Sequence, residues 1–199
     1  GLEDAFLRYN WPYSFQIPGE NALRIGSSFS DSSEVLALLR DRLEAATQKN
    51  CDRAKHSMIY EGVLATMAWG KVDGVNKTWL CENKLNLAQE LQTTKQLLEA
   101  GDDDIVKLKQ ISRFNSGMTK VYSLLVKGFI IYDSRVAASF GWLVAKWCEE
   151  FGYYKVPELL QFRWMQGKGK SIRDPSGGQL YFPPMRNCKA HWAKWNLRA

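Results

Sequence analysis

Apolar residues recur at three- and four-residue spacing over most of this chain, the mark of amphipathic helices. Val35, Leu36, Leu38, Leu39, Leu43 and Ala46 form one stripe, capped by Ser30, Ser32 or Ser33 and running to about Thr47. Ile59, Val63 and Met67 form a second over residues 52–69, stopped by Gly70 and the Asp73-Gly74 pair. Leu80, Leu87, Leu91 and Leu98 predict a third helix over 78–100 that ends at Gly101. Asp102, Asp103 and Asp104 then place negative charge at the start of a helix with Ile105, Leu108 and Ile111 on its core side, ending near Phe114.

Residues 115–118, Asn-Ser-Gly-Met, read as a turn, after which Val121, Tyr122, Leu124 and Leu125 resume the helical pattern over 119–127. The pattern is helix, hairpin, helix. Residues 129–132 are a short β-rich run, and Asp133 is a natural N-cap for a helix over 134–150 with Val136, Phe140, Leu143, Val144 and Trp147 on its buried stripe. A short helix entered at Pro157 is expected over 156–165. A basic, glycine-rich loop follows over 167–178, and an amphipathic segment from Cys188 closes the chain. The first 30 residues, with Pro12, Pro18, Gly19 and Gly26, read as an irregular arm packed through Phe6, Tyr9, Trp11 and Phe15. The fold class expected is mostly α, one domain over 1–199.

Composition changes this picture little. Over 199 residues, 45% hydrophobic and 24% charged residues are those of a globular protein and exclude disorder, collagen-like repeats and coiled coils. Charge changes it more. The formal net charge is +6, but residues 155–199 hold nine Lys/Arg against two acids, a net +7, leaving −1 for residues 1–154. Phe162, Trp164, Tyr181, Phe182, Trp192 and Trp195 interleave with those cations, which favours an anionic partner with faces to stack on. Nucleic acid fits.

Cys51, Cys81, Cys148 and Cys188 contain no C-x-x-C pair, and only two histidines accompany them, so no metal or iron–sulfur site is expected. They read as reduced, mostly buried thiols. No stretch of 18 apolar residues is present, and Gly1-Leu2-Glu3-Asp4 lacks the regions of a signal peptide. A monomeric cytoplasmic protein with no membrane partner and no cofactor is expected.

The segment 116–136, S-G-M-T-K-V-Y-S-L-L-V-K-G-F-I-I-Y-D-S-R-V, carries the chemistry. A glycine-containing hairpin, T-K-V opening a helix, and an Asp starting the next helix resemble the helix-hairpin-helix DNA glycosylases. Among them, the 8-oxoguanine glycosylase branch shares T-K-V. Short bacterial proteins of that fold share the Y-D-S-R-V string, here residues 132–136. The specific likeness covers about 35 residues, 102–136. It implies two helical lobes around a cleft, with Lys120 as nucleophile and Asp133 as catalytic carboxylate. By the same likeness Ser116, Gly117, Met118 and Thr119 would grip the DNA backbone. This sequence departs from the pattern in having Met118 where the second hairpin glycine stands, and in separating Lys120 from Asp133 by only 13 positions.

The residue types suit the reaction. Breaking an N-glycosidic bond builds positive charge on the sugar, which a carboxylate stabilises. A lysine attacks C1′ only as the free amine, and a first-turn position at the positive end of a helix dipole disfavours the ammonium. Arg135, Lys168, Lys170 and Arg173 are phosphate-contact candidates. A flipped base needs stacking surfaces, for which Tyr60, Trp69, Trp192 and Trp195 are candidates, with His191 as a hydrogen-bonding neighbour. The expected function is excision of a modified base from double-stranded DNA, either 8-oxoguanine in repair or a phage base in antiviral defence. The alternatives are a non-catalytic helix-hairpin-helix DNA-binding module and a helical adaptor solubilised by its basic end.

Overall fold

The computed structural model describes residues 2–47, 52–167, 172–186 and 188–199. It is mostly helical, with one two-stranded antiparallel sheet among the described residues. Two compact units divide the chain, one comprising residues 1–95 and 120–127, the other residues 96–119 and 128–199. Among the described residues, no helix is long and apolar enough to cross a membrane.

In the first unit the expected irregular arm is instead α1 (Leu2–Leu7) and a β-hairpin of β1 (Tyr13–Gln16) and β2 (Leu23–Gly26). Tyr13, Phe15 and Ile17 alternate with polar neighbours and are buried, a period-two signal too short to stand out beside Pro18 and Gly19. Phe6 and Tyr9 stay largely exposed, meeting the Phe29 ring at 5.0 and 5.6 Å. Tyr13 pairs with Gly26, and its hydroxyl donates to the Asp31 carbonyl at 2.8 Å. Burial, then the Asp31 charge, pushes this phenol up.

The two long helices α2 (Phe29–Thr47) and α3 (Asp52–Trp69) bear out the pattern. Val35, Leu39, Leu43 and Ala46 on the first, and Ile59, Val63 and Met67 on the second, are buried. Gly62 admits Leu43 closely, since a Cβ there would stand 2.8 Å from Leu43 Cδ2. Asp31 Oδ2 accepts the Ser27 and Ser28 amides, both at 2.9 Å, at the start of α2.

The expected 78–100 helix is two helices, α4 (Asp73–Glu82) and α5 (Leu87–Glu99). Asn83 breaks it. Its side-chain amide donates to the Trp79 carbonyl at 2.8 Å, and Asn86 N–H closes a tight turn on Asn83. Asp73, expected to help end α3, instead begins α4. The end of α3 is set by Lys71, which takes the left-handed φ of 54° usually given to glycine. Lys71 N–H then reaches Ala68 O and Val72 N–H reaches Met67 O, the paired bonds that close a helix C-terminus.

In the second unit, the helix expected from 102 to about 114 is only α6 (Ile105–Leu108), capped by Asp104. Gln110 and Ile111 N–H bond three residues back and tighten the turn until it stops. The chain re-enters a helix at α7 (Met118–Leu125), whose first two residues belong to this unit and whose remainder belongs to the other. Residues 129–132 form no strand. α8 (Ser134–Glu150) starts as expected, but its buried residues are Ala137, Gly141 and Cys148, and Leu143 is 53% exposed. Gly141 rules this face, because a Cβ there would collide with Pro175 Cγ. The helix expected over 156–165 shrinks to a single 3-10 turn, Glu158–Leu160, and α9 (Lys189–Arg198) ends the chain.

Of the thiols, Cys148 is buried and pushed up by that burial, Cys188 is half-buried and Cys81 is exposed, so the expectation of mostly buried thiols is corrected for Cys81. Cys51 lies outside the described residues.

The Ser27 and Ser28 amides hold the Asp31 carboxyl below the usual carboxylate range. Its contribution to stability is therefore complete above that range and is lost as pH falls through the lowered value. Urea midpoints of the parent and Asp31→Asn should differ at neutral pH and converge in strong acid; a gap that ignores pH contradicts this assignment.

Candidate functional site

Lys120 is the third residue of α7, in its first turn, and is only 4% exposed. Its stem lies against the backbone at the end of α3. A Cβ on residue 70 would collide with Lys120 Cδ and stand 2.8 Å from Cε, so any other residue at 70 would push the lysine stem off this position. Lys120 O accepts the Ser123 hydroxyl at 2.9 Å.

The same end of α3 gathers aromatic rings. Trp69 is buried, its ring centroid 6.1 Å from that of Trp11, and its carbonyl accepts Trp11 Nε1–H at 3.2 Å. The Trp69 Nε1–H is buried with no hydrogen-bond partner among the described residues. Lys71 Nζ sits 5.3 Å over the Trp11 ring, a cation–π pair. Tyr60, farther back on α3, is half-buried under Lys84 Nζ at 4.8 Å. Trp11 and Lys71 are absent from the sequence-based candidates. No sequence signal marks them: the left-handed backbone of Lys71, a constrained position, is visible only in the structure.

In the second unit the 115–118 turn is built on Asn115. Its Oδ1 accepts the Gly117 amide at 2.9 Å and the Met118 amide at 3.0 Å, while Thr119 Oγ1 donates to Ser116 O at 3.1 Å. A phosphate gripped through those two amides would have to compete with Asn115 for them. Met118 and Thr119 are fully buried, Gly117 is buried and Ser116 is half-buried.

Asp133 caps α8, its Oδ1 accepting Arg135 N–H at 2.9 Å and Val136 N–H at 3.2 Å. The residues before it are pinned. Asn196 Nδ2 of α9 donates to Ile130 O at 3.0 Å, and the buried Tyr132 hydroxyl donates to Arg163 O at 2.9 Å. Burial pushes that phenol far up, so it donates at any physiological pH. On the other side, the Arg173 guanidinium donates to Ser134 Oγ. Asp133, Ser134 and Arg173 are thus brought together. Arg135 is exposed, and Lys168 and Lys170 lie outside the described residues.

The C-terminal tryptophans pack inward. Trp195, 6% exposed, forms a core with Tyr132, Ala137 and Met165, and Trp192 packs against it. The rings expected to serve a flipped base here support the Asp133 segment from beneath. Lys120 belongs to the first unit, and Asp133 to the second. Among the described residues, no group of three His, Cys, Asp or Glu could hold a metal ion.

Replacing Tyr132 by Phe should cost about 1–2 kcal/mol, the deletion of one buried hydrogen bond with an acceptor left behind. Denaturant unfolding at matched m-value measures it, and a variant as stable as the parent contradicts the pinning role.

No protein-family model matches the chain, and no curated protein or solved structure matches it either.

Proposed function

We propose that the protein excises a modified base from double-stranded DNA, with a helix-hairpin-helix glycosylase fold as its framework. The observation that carries this reading is the burial of Lys120. A lysine on a helix surface is ordinarily solvated, and a fully buried one is rare. Here the lysine of T-K-V is withdrawn from water, and a glycine at position 70 makes room for it. That is the treatment expected of an amine with a task.

In the reaction, the neutral Lys120 amine adds to C1′ as the C1′–N bond breaks, and the base leaves with the bonding pair and gains a proton. The new C1′–N bond loses a proton from nitrogen, and opening of the sugar ring gives a Schiff base. Asp133 supplies negative charge against the cationic sugar as the bond to the base lengthens. The α8 amides that hold its carboxylate, and the Asn196–Ile130 and Tyr132–Arg163 bonds that fix the residues before it, support this role, since electrostatic stabilisation works through groups already oriented. Arg173 and Arg135 flank it as cations for the phosphates of the same strand. If Asp133 instead takes a proton from water, the water oxygen bonds C1′ and the base leaves without strand cleavage.

The +7 charge of residues 155–199 supports duplex DNA as the partner. Duplexes carrying 8-oxoguanine, or modified cytosines of the kind found in phage genomes, should release the base or show alkali-labile breaks with the parent protein. Lys120→Gln and Asp133→Asn should each lose about 10²-fold or more in rate while binding DNA like the parent. No release from any of these duplexes, with binding intact, overturns the enzyme reading.

A further inference from the structure

We infer that Arg163, Arg186 and His191 form an anion subsite on the second unit that receives a phosphodiester of a DNA strand. The inference rests on the reading of DNA as partner; that reading gives Arg163 and Arg186 no role, and it gives His191 a base edge, not a phosphate.

The backbone brings these groups together. Trp164 bridges to Pro184, Met185 N–H donates to Trp164 O at 2.8 Å, and Arg163 Nη1 donates to Pro184 O at 3.1 Å. This pairing sets Arg163 beside the chain that leads into Arg186. The Arg163 guanidinium then lies 5.4 Å over the ring of Trp195 on α9. His191 is one helical turn before Trp195 and shares its face.

The charges on that face are divided unequally. At its far end, Asp103 takes both Lys194, at 3.5 Å, and Arg198, at 2.6 Å. Among the described residues, Arg163, Arg186 and His191 have no carboxylate partner, and the buried Arg163 Nε–H has no acceptor. The cations also repel one another: after burial, Arg186 is the next cause lowering both Arg163 and His191, with Arg163 and Lys194 adding to it at His191. Two neighbouring guanidiniums without a carboxylate, one of them carrying an unmatched donor, attract an anion to this face. Arg163 Nη1 already donates to Pro184 O, Nε is the donor left without an acceptor, and phosphate is the anion whose geometry a guanidinium matches best.

The subsite is tested with an unmodified DNA duplex and, separately, with inorganic phosphate. Arg186 is exposed and holds no other side chain, so Arg186→Gln should fold like the parent. It should weaken duplex binding and reduce the slope of log affinity against log salt by about 0.9, one phosphate contact. Lys155→Gln, a cation of the same basic segment outside the cluster, should change that slope much less. The imidazole signal of His191 should move on duplex addition while that of His56 stays. The inference is overturned by a slope change no larger for Arg186→Gln than for Lys155→Gln. It is equally overturned if the parent does not bind duplex, or if His191 answers inorganic phosphate and ignores DNA. Base release with an unchanged Arg186→Gln slope leaves the enzyme and removes the subsite; the reverse pattern leaves the subsite and removes the enzyme.

Discussion

A lysine stem laid against a glycine governs the first unit. Burying a lysine is costly unless its stem is packed and its amine is accommodated. Gly70 provides the space, and it can do so because α3 has stopped one residue earlier. The stop is made by Lys71, whose left-handed backbone costs about 1–2 kcal/mol relative to glycine. That cost is offset by the paired carbonyl bonds that end α3 and by the cation–π contact with Trp11, which ties the N-terminal segment to the same place. Residues 120–127 belong to this unit although the turn that leads into them belongs to the other. The α3 terminus, Lys120 and Trp11 are therefore one assembly.

The second unit is organised around a different device, a polar clamp over an aromatic base. Trp195 fills the core beneath Tyr132 and Ala137, while Asn196, its neighbour on α9, reaches up to Ile130 O. Tyr132 fastens to the backbone at Arg163, and Arg163 returns over Trp195. The basic C-terminal segment thus does two jobs. Its aromatic residues build the seat of the Asp133 helix, and its cations crowd on the surface of that seat. The charge that marks the segment in the sequence is a consequence of presenting one face and burying the other.

The longest helices were legible as helices. α2 and α3 follow from their apolar spacing, and α8 from Asp133 as its cap, because each has enough turns for the period to speak. Short elements were not. The β-hairpin offers only four residues per strand, and α6 ends after one turn although Ile111 and Phe114 continue its apolar spacing into a non-helical stretch. The Asn83 break depends on a side chain taking a backbone carbonyl, which no pattern of polarity reveals. At the candidate site, Lys120 and Asp133 were proposed from motif order, but the burial of Lys120 was not legible, since it depends on Gly70, 50 residues away. The packing of the α9 tryptophans was not legible for the same reason: an aromatic residue on a helix meets a core or a surface according to what lies across from it, and here Trp195 meets Met165 and Tyr132 while Trp192 stays half-buried.

The proposed chemistry turns on Lys120 being an amine that works and not a buried structural cation. Borohydride reduction in the presence of DNA, followed by peptide mapping, tests that directly, because only a Schiff base between the protein and C1′ becomes permanent. The account predicts a covalent protein–DNA adduct mapped to Lys120 and absent from Lys120→Gln. An adduct at another lysine, or base release with no trappable adduct, would contradict it.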